Sequence, residues 1–495
     1  MTAPVLLVVG TASSVGKSVL VAGLCRAFAR AGLRVAPFKA QNMSNNAYVT
    51  ADGLEIGRAQ AEQAVAAGVE ADVDMNPVLL KPQGDRTSQL VLKGRPAGTM
   101  HSRDFLERRR DLWPEIAGAL GRLRAQYDLV IAEGAGSAAE PNLYDTEVVN
   151  MRVARETGAV TLLVGDIDRG GVFGHFLGTL ELMPASDRAL VRGLVINRFR
   201  GDPSLLAPAI ATVEDRGGVP VVGVVPWIED VGVAEEDAVA LERASRDTSG
   251  PASEVDVAVV RFPRIANFDD IDPLLREPGV RVRWVEHAEE IGLPHLVILP
   301  GTKATIADLR WMRERGIDRA VIARHGAGAH VLGICGGYQA LGTRLLDPDG
   351  AEDAAGADEP GLSLLDAATT FEATKATRRT RGRTLEGAWG GAGFDLDGYE
   401  IHMGRTVGAE RPLLAVGDHV DGAVSPDGRV AGTYLHGLLH NDAWRAALLT
   451  ELGRRSDGAV EPSSERREAA FDRLADVLEA HLDLPEIRGW LGLPE

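Results

Sequence analysis

The sequence predicts an α/β protein with two doubly wound α/β domains, and two observations carry this prediction. At 495 residues the chain is too long for one ordinary core, because a domain takes ~150 residues on average. Helix-like stretches also separate apolar runs that lack polar alternation, which is typical of strands buried in a parallel sheet. In the first half these runs are VLLVVG (5–10), LVIA (129–132), AVTLLVG (159–165), GLVIN (193–197) and VPVVGVVP (219–226).

A second set of strand-like runs begins after residue 254. It comprises VDVAVVRFP (255–263), VRVRWVE (280–286), HLVILPG (295–301), AHVLGIC (329–335) and VAGTYLH (430–436). An acidic stretch with Ser, Gly and Pro toward its end separates the two sets. We therefore predict a first domain over 1–235, a linker over 236–253, a second domain over 254–446 and a C-terminal helical segment over 447–495. The low-complexity stretch 347–361 is predicted to be a mobile surface loop.

The composition is that of a soluble globular protein, and the net charge of −18 argues against nucleic-acid or anionic-membrane partners. It still permits a small anionic substrate in a locally basic pocket. The two cysteines, Cys25 and Cys335, have neither metal-site nor disulfide-framework spacing, which suits a reducing cytosol. The first apolar run is too short to cross a bilayer, so we expect a cytoplasmic protein. The sequence leaves open whether the chain forms a homo-oligomer.

The segment GTASSVGKS (10–18) stands between the first strand-like run and an amphipathic helix-like stretch. Backbone N–H groups at such a turn cradle phosphate, a Lys there reaches the outer phosphates, and the next hydroxyl ligates Mg²⁺. Five residues rather than the usual four separate the glycines, and Thr11 stands in place of the first glycine. We predict a nucleotide site here, against the alternative of a plain Gly-rich turn; its candidate residues are Gly10, Thr11, Gly16, Lys17 and Ser18.

Further polar residues stand at strand ends, where a nucleotide site would lie. Glu133 is the candidate second metal contact, and Asn197 is a candidate for reading an adenine edge. Lys39 follows another strand-like run and is expected near the transferring phosphoryl group. Asp166 and Asp168 either face this cleft or cap a turn.

The segment GICGG (333–337) has the spacing of a nucleophile elbow. Glycines permit the sharp turn that exposes Cys335, and the helix start that follows favours its thiolate. The N–H groups of Gly336 and Gly301 are candidates for an oxyanion hole. A thiolate needs a proton-handling partner, and His436 stands at the end of a late strand in the same domain. Cys25 is interpreted as an inert core residue.

The two motifs resemble those of two enzyme families. The first stretch resembles the dethiobiotin-synthetase-like branch of P-loop enzymes, in which the extra loop residue is usual and ATP phosphorylates a carboxylate. The second half resembles the class I glutamine amidotransferases, which implies that Cys335 attacks the glutamine amide and that His436 shuttles the proton. That class carries an acid two residues after the histidine, where this chain has Leu438, so the group that orients His436 stays open, and a dyad is one possibility.

Nearly the whole chain resembles a glutamine-dependent amidotransferase family of cobalamin biosynthesis. The segments that carry this resemblance include PFKAQNMSNNA (37–47), EIGRAQAEQA (55–64), NPVLLKPQGDRTSQLVLKG (76–94), GDIDRGGVF (165–173), PGTKAT (300–305) and YEIHMGRT (399–406). The resemblance implies amidation of the b, d, e and g carboxylates of adenosylcobyrinic acid a,c-diamide, with one ATP, assisted by Mg²⁺, and one glutamine consumed per amide. Glu400 and His402 either support the glutaminase site or form a structural pair.

The window 81–95 is a basic island in an acidic chain, and we expect it to contact the carboxylates of the corrinoid. Its candidate residues are Lys81, Arg86, Lys93 and Arg95. Two other functions stay open. One is the related synthase that makes the a,c-diamide. That enzyme resembles a family with a Gly-Pro-Asp pattern at the position where this chain has FKAQNMSNN. The other is a partitioning-type ATPase with an inactive amidotransferase-like domain, against which stands Ala12 in place of that class's additional lysine.

Overall fold

A computed structural model describes residues 2–84, 86–228, 254–408, 411–417, 419–455 and 462–494, without the side chains of residues 102 and 106. The predicted linker over 236–253 lies outside the described residues. The strands of the first half are β1 (Val5–Gly10), β2 (Val35–Phe38), β3 (Gln41–Met43), β4 (Ala47–Val49), β5 (Glu55–Gly57), β6 (Val78–Pro82), β7 (Thr87–Leu92), β8 (Arg95–His101), β9 (Leu129–Glu133), β10 (Val160–Asp166), β11 (Val191–Phe199) and β12 (Val221–Pro226).

Helices alternate with these strands, and the predicted parallel sheet is confirmed. The helices are α1 (Lys17–Arg30), α2 (Arg58–Ala66), α3 (Ser102–Arg108), α4 (Trp113–Gln126), α5 (Met151–Thr157), α6 (Val172–Leu182), α7 (Ala185–Arg188) and α8 (Ala207–Gly217). Six parallel strands form one sheet in the order β12-β11-β10-β1-β9-β2. The strand order reverses beside β1, so the loops after β1 and β9 meet at one edge, where such folds bind ligands.

A small second sheet, β3-β6-β7-β8, extends from the first domain. Its antiparallel strands β6 and β7 contain most of the basic window 81–95. The β6–β7 turn and the β7–β8 turn lie at opposite ends of β7. Residues in these two turns therefore cannot form one continuous patch.

The second half forms another doubly wound sheet in the order β14-β13-β15-β16-β24-β23, parallel except for its last pair. Its strands are β13 (Val255–Val260), β14 (Val280–Val285), β15 (Leu296–Leu299), β16 (His330–Ile334), β23 (Ala423–Val424) and β24 (Val430–Thr433). Its helices are α9 (Asp272–Leu275), α10 (Thr305–Glu314), α11 (Ile317–Gly326), α12 (Gly336–Leu341) and α13 (Asp442–Glu451).

A third large sheet covers one side of this domain and includes a long hairpin. Its strands are β17 (Arg344–Asp347), β18 (Ala357–Pro360), β19 (Ala368–Thr384), β20 (Asp395–Val407), β21 (Leu414–Val416) and β22 (His419–Asp421). The register of β19 against β20 shifts between Phe371 and Ala376. Lys375 lies within this bulge, which re-aims the side chains beside it, and lines the same cavity as Cys335.

The stretch 347–361, predicted to be a mobile surface loop, contains the strand β18 and a turn ordered by one side chain, while its mobility stays a prediction. The buried Asp347 carboxylate accepts hydrogen bonds from three successive backbone N–H groups, those of Ala351, Glu352 and Asp353, at 2.7–2.9 Å. The acidic composition that suggested a solvated loop instead supplies the carboxylate that shapes this turn.

The C-terminal helices α14 (Ser463–His481) and α15 (Leu484–Leu491) return to the first domain. Phe471, Leu474 and Leu478 of α14 are buried in the same core as Leu20 and Leu24 of α1. The chain therefore crosses from the second domain back to the first before it ends. Among the described residues, no helix has the length and apolar character needed to span a membrane.

Candidate active sites

The first site surrounds the start of α1, where Gly16 adopts a φ of 94°. A side chain at Gly16 would come within 2.3 Å of the Asn197 amide nitrogen, so both backbone conformation and space require glycine here. The Lys17 ammonium donates to the Ala12 carbonyl at 3.1 Å and to the Gly136 carbonyl at 3.2 Å. The loop thus forms with its lysine folded across it, and the predicted contact of Lys17 with the outer phosphates stays a prediction.

Glu133 lies at the centre of this site because β9 lies next to β1 in the sheet. One of its oxygens accepts hydrogen bonds from Ser18 at 2.8 Å and from Lys39 at 2.9 Å, and the other accepts from Gln63 at 2.6 Å. Burial alone would raise the pKa of Glu133, but the charge of Lys39 and these hydrogen bonds hold it below its ordinary value. Glu133 is therefore a buried carboxylate that stays ionised.

A cavity of about 440 Å³ opens beside these groups. Lys17, Ser18, Lys39 and Glu133 line it, as do the guanidinium groups of Arg109, Arg169 and Arg198. The Thr11 hydroxyl is buried and has no hydrogen-bond partner among the described residues. A lining that combines lysines, arginines and the loop before a helix suits a polyphosphate.

Asn197 and Asp166 support the loop rather than face the cavity. The Asn197 amide nitrogen donates one N–H to the Val15 carbonyl at 2.8 Å, so the expected adenine contact would use its second N–H or its oxygen and stays a prediction. Asp166 accepts from Arg198 at 2.9 Å, and Arg198 also donates to the Ser14 carbonyl at 2.8 Å. Asp168 pairs with Arg200 at 3.2 Å.

The structure divides the predicted basic island, because its residues occupy different ends and faces of the small sheet. Lys81 is buried at 3% exposure and bonds Glu55 at 2.6 Å, which corrects its assignment as a corrinoid contact. Arg86 lies in the β6–β7 turn, whereas Lys93 and Arg95 flank the β7–β8 turn at the other end. Lys93 forms an ion pair with Glu115 of α4.

The second site joins the ends of three neighbouring parallel strands. Gly301 follows β15, Cys335 follows β16 and His436 follows β24, so the sheet order alone brings them to one edge. Cys335 adopts φ 53° and ψ −109°, the strained conformation of a nucleophile elbow. Gly337 lies so close to β15 that a side chain there would meet the Leu299 carbonyl at 1.8 Å.

Asp270 completes a triad with Cys335 and His436. Its carboxylate lies beside the His436 ring and is therefore the group that orients it. Asp270 lies in a 3₁₀ turn, Phe268–Ile271, that follows β13, and one of its carboxylate oxygens is 2.7 Å from His436 Nδ1. Its other oxygen accepts the Gly437 N–H at 2.7 Å. Burial alone would lower the pKa of His436, but the Asp270 carboxylate and the Cys335 thiol raise it to about 10.

Aromatic and polar groups enclose this triad. The Tyr399 ring stacks on the His436 ring with a centroid distance of 5.3 Å. His402 stacks on Tyr434 at 3.7 Å and lines the cavity beside Cys335, while Glu400 pairs with Arg378 at 2.7 Å and with His402 at 3.4 Å. Gly301 lines the cavity beside Cys335, and Thr302 of the Gly301 loop would meet a side chain at Gly336.

The two sites meet through a buried interface between the domains. Glu55 of the first domain bonds Lys81 at 2.6 Å and Lys375 of the second domain at 2.5 Å. These ions hold the pKa of Glu55 at about 2 although burial opposes it, while burial and the neighbouring lysines lower the pKa of Lys375 to about 7. The β4–β5 hairpin packs beside them, with Tyr48 against Tyr399 at 5.2 Å.

Sequence reasoning missed Asp270, Gln63, Glu55 and Lys375. The run NFDDID (267–272) carries three carboxylates shortly after a buried strand, and this signal points to Asp270 only once His436 is known to need an acid. Gln63 lies in a segment that carries the family resemblance, but no local pattern assigns it to Glu133. Both depend on contacts between distant segments.

Comparisons with known proteins match both halves of the chain to families. Residues 6–240 match the family described as the CobQ/CobB/MinD/ParA nucleotide binding domain, and residues 256–444 match the CobB/CobQ-like glutamine amidotransferase domain. The curated cobyric acid synthase of Roseiflexus castenholzii is 52% identical over 501 residues, covering 99% of each chain. That of Chloroflexus aggregans is 53% identical over 485 residues and covers 96% of each.

The chain belongs to the cobyric acid synthase family. Members of the family are glutamine-dependent amidotransferases of cobalamin biosynthesis, and this chain is such an enzyme. A third relative, from Sorangium cellulosum, is 51% identical over 509 residues with 98% of each chain covered. The family assignment thus spans both sites and the interface between them.

Proposed function

We propose that the chain amidates the b, d, e and g carboxylates of adenosylcobyrinic acid a,c-diamide to give adenosylcobyric acid, with ATP and glutamine as co-substrates. The observation that carries this proposal is the pairing, in one chain, of a Cys335–His436–Asp270 triad with a phosphate-binding loop whose Ser18 contacts Glu133. Full-length similarity to curated cobyric acid synthases supports the choice of substrate. The cytoplasm would supply ATP and glutamine and would keep the Cys335 thiol reduced.

The triad would release ammonia from glutamine in two steps. The Cys335 thiolate attacks the side-chain amide carbon, and the protonated His436 gives its proton to the leaving ammonia, which forms a thioester. His436 then takes a proton from water as that water attacks the thioester, and glutamate leaves. Asp270 holds the imidazole by Nδ1, and the N–H groups of Gly336 and Gly301 are assigned to the oxyanion.

The phosphate-binding loop would activate the corrinoid carboxylate. Lys17 would turn from its loop carbonyls toward the ATP phosphates, beside the Glu133 carboxylate that Lys39 holds ionised. The carboxylate takes the γ-phosphoryl group from ATP, and ammonia then displaces phosphate from the acyl phosphate to form the amide. Keeping both centres in one chain lets the ammonia stay unprotonated.

Mg²⁺ fits the donor set at Ser18 and Glu133. Both supply hard oxygen ligands, and their oxygens lie 2.8 Å apart at the cavity wall. Mg²⁺ keeps several waters and binds through one or two protein oxygens plus substrate phosphates, so two protein ligands suffice. When bound, the ion neutralises charge on the phosphates.

The corrinoid contacts are proposed on narrower grounds. Arg86 and Arg95 are exposed cations in the small sheet, and we keep them as candidate contacts for the substrate carboxylates. Lys93 shares its charge with Glu115, so we expect it to contribute less. Lys81 is placed instead in the buried interface.

The Cys335→Ala variant tests the coupling of the two sites. Glutamine-dependent amidation should fall by at least about 10³-fold because the nucleophile is gone, while ammonia-dependent amidation should stay within about threefold. Amide formation is measured by chromatography of the corrinoid with either nitrogen source. Offering cobyrinic acid beside its a,c-diamide distinguishes this enzyme from the related synthase that acts one stage earlier.

Cys25→Ala is the matched control, since Cys25 is fully buried in α1 and burial raises its pKa far above the ordinary range. It should retain amidation from both nitrogen sources. Unchanged glutamine-dependent amidation in Cys335→Ala would refute the proposed mechanism.

A further inference from the structure

A small cavity of about 50 Å³ lies beside the triad and has charged walls. Cys335 and His436 line one side, and Lys303, Glu352, Lys81 and Lys375 line it elsewhere. The proposed reaction explains the triad but uses none of these four ions. Burying charge is costly unless the charge is paired, so each ion needs an explanation.

Two of the four are explained by the interface between the domains. Lys81 and Lys375 each bond one oxygen of Glu55, at 2.6 and 2.5 Å. Their exposures of 4% and 5% show that these contacts are dry. An ion held this tightly within the protein is not available to a ligand without breaking a buried pair.

Lys303 is different, because it lines the cavity without an ion pair. In the described ranges, no carboxylate lies within ion-pair distance of its ammonium group, although Glu352 and Glu55 influence it from farther away. Burial, followed by the nearby charge of Lys81, lowers its pKa. Lys303 is two residues from Gly301, so the same loop that carries the candidate oxyanion donor also carries a cation that lacks a counter-ion.

Glu352 faces the cavity from the turn that Asp347 shapes. One Glu352 oxygen accepts the Ile306 N–H at 3.0 Å, at the start of α10, so the carboxylate is held at a helix N-terminus. Burial raises the pKa of Glu352 to about 7 in spite of these hydrogen bonds. A cationic ligand group beside it would favour its ionised form.

We propose that Lys303 binds the α-carboxylate of glutamine and that Glu352 binds its α-ammonium group. The free amino acid carries these two charges on one carbon, only three bonds from the amide carbon that Cys335 attacks. A cavity that holds the nucleophile, one uncompensated cation and one carboxylate matches that distribution of charge. This inference rests on the proposed glutaminase activity and adds the determinant of its specificity.

The pair would select free glutamine against other primary amides. A peptide-bound glutamine or an asparagine side chain would leave Lys303 or Glu352 without its partner or place the amide out of reach of Cys335. A site built to pair a polar group rejects an analogue that lacks it, because the buried partner is then left unpaired.

Two truncated amides test the assignment against two variants. 4-Aminobutanamide lacks the α-carboxylate, and 5-amino-5-oxopentanoic acid lacks the α-amino group. Lys303→Met should lower kcat/KM for glutamine about 100-fold, mainly through KM, and change kcat/KM for 4-aminobutanamide less than about threefold. Glu352→Gln should show the same split, with 5-amino-5-oxopentanoic acid as the insensitive substrate. Ammonia released from each amide is measured directly.

Asp353→Asn is the matched control for Glu352, because the Asp353 side chain pairs with Arg310 at 2.7 Å on the outer surface. Its kcat/KM for glutamine should stay within about twofold of the unchanged enzyme, and Lys303→Arg should recover part of the loss.

Ammonia-dependent amidation by every variant verifies that the rest of the enzyme is folded. If Lys303→Met lowers kcat/KM equally for glutamine and for 4-aminobutanamide, or leaves both unchanged, the assignment of Lys303 is overturned. The same criterion applies to Glu352 with its own analogue. Failure of the unsubstituted enzyme to hydrolyse glutamine would instead refute the proposed function, so the two failures are distinguishable.

Discussion

The two sites of this chain are assembled in opposite ways. The nucleotide site is built mainly around one continuous loop, 10–18, together with Glu133 from the neighbouring strand. The glutaminase site takes its triad from three separate segments, at Asp270, Cys335 and His436. The first lines a cavity of about 440 Å³, and the second lines one of about 50 Å³.

This difference follows from the chemistry that each site performs. A polyphosphate is bound largely by backbone N–H groups, which any short loop of the right conformation supplies. Proton transfer between a thiol, an imidazole and a carboxylate instead needs side chains aligned within hydrogen-bond distance in a dry place. Such alignment is obtained from several strand ends at once, so its residues are dispersed along the chain.

The largest expected effect is that of Asp270→Asn. An amide would favour the wrong imidazole tautomer, so glutamine-dependent amidation should fall about 10⁴-fold, with ammonia-dependent amidation unchanged. Without the carboxylate, burial lowers the pKa of His436 from about 10, so the alkaline limit of glutamine hydrolysis should move to lower pH. A pH–rate profile of ammonia release measures this shift.

The pH readout separates positioning from simple loss of structure. A merely destabilised domain would lose activity without moving the alkaline limit. If Asp270→Asn keeps glutamine-dependent activity within about tenfold, the site works as a dyad and the role given to Asp270 is wrong.

The next largest effect is expected from Lys17→Met, which should impair amidation and spare glutamine hydrolysis. Losing the cation that meets the transferring phosphoryl group should lower amidation about 10³-fold with either nitrogen source. Glutamine hydrolysis should stay within a few-fold, because Lys17 lies in the other domain from the triad. Assays of corrinoid amide and of glutamate measure amidation and glutamine hydrolysis in parallel. If amidation falls with glutamine but not with ammonia, the role given to Lys17 is wrong.

A smaller effect is expected where the two regions meet, at Glu55. Glu55→Gln leaves two buried lysines without their carboxylate, and removing one partner of a buried pair costs about 3–5 kcal/mol. Because the folded-state pKa of Glu55 is about 2, below its ordinary value of 4.5, its contribution is present above pH 4.5 and is lost as pH falls toward 2. The difference in the free energy of unfolding between the unsubstituted enzyme and Glu55→Gln should therefore become smaller in acid.

Urea unfolding followed by circular dichroism at pH 7 and at pH 3.5 measures this difference. Asp358→Asn is the control, because it removes the partner of Arg344 in an exposed pair, and the urea midpoint should stay where it was. An equal difference at both pH values would contradict the ionised state assigned to Glu55.

Much of the fold was predictable, because apolar runs such as 5–10 and 159–165 lack polar alternation in the way that buried parallel strands do. The loop at Lys17 and the elbow at Cys335 were also visible, since both are local backbone requirements recorded in neighbouring glycines. The basic window 81–95 misled, because a hairpin sends residues that are close in sequence to opposite ends of a strand. The acidic composition of 347–361 did not reveal that Asp347 turns inward.

The sequence by itself determined the two domains, the phosphate loop, the nucleophile and its histidine, because periodicity and glycine spacing express the needs of each segment alone. Only the tertiary structure decided that Asp270 orients His436, that Glu55 joins two lysines across the domains, and that Lys303 and Glu352 face the triad. These choices depend on which strand ends meet. That is set by packing between segments far apart in the chain, and no local pattern records it.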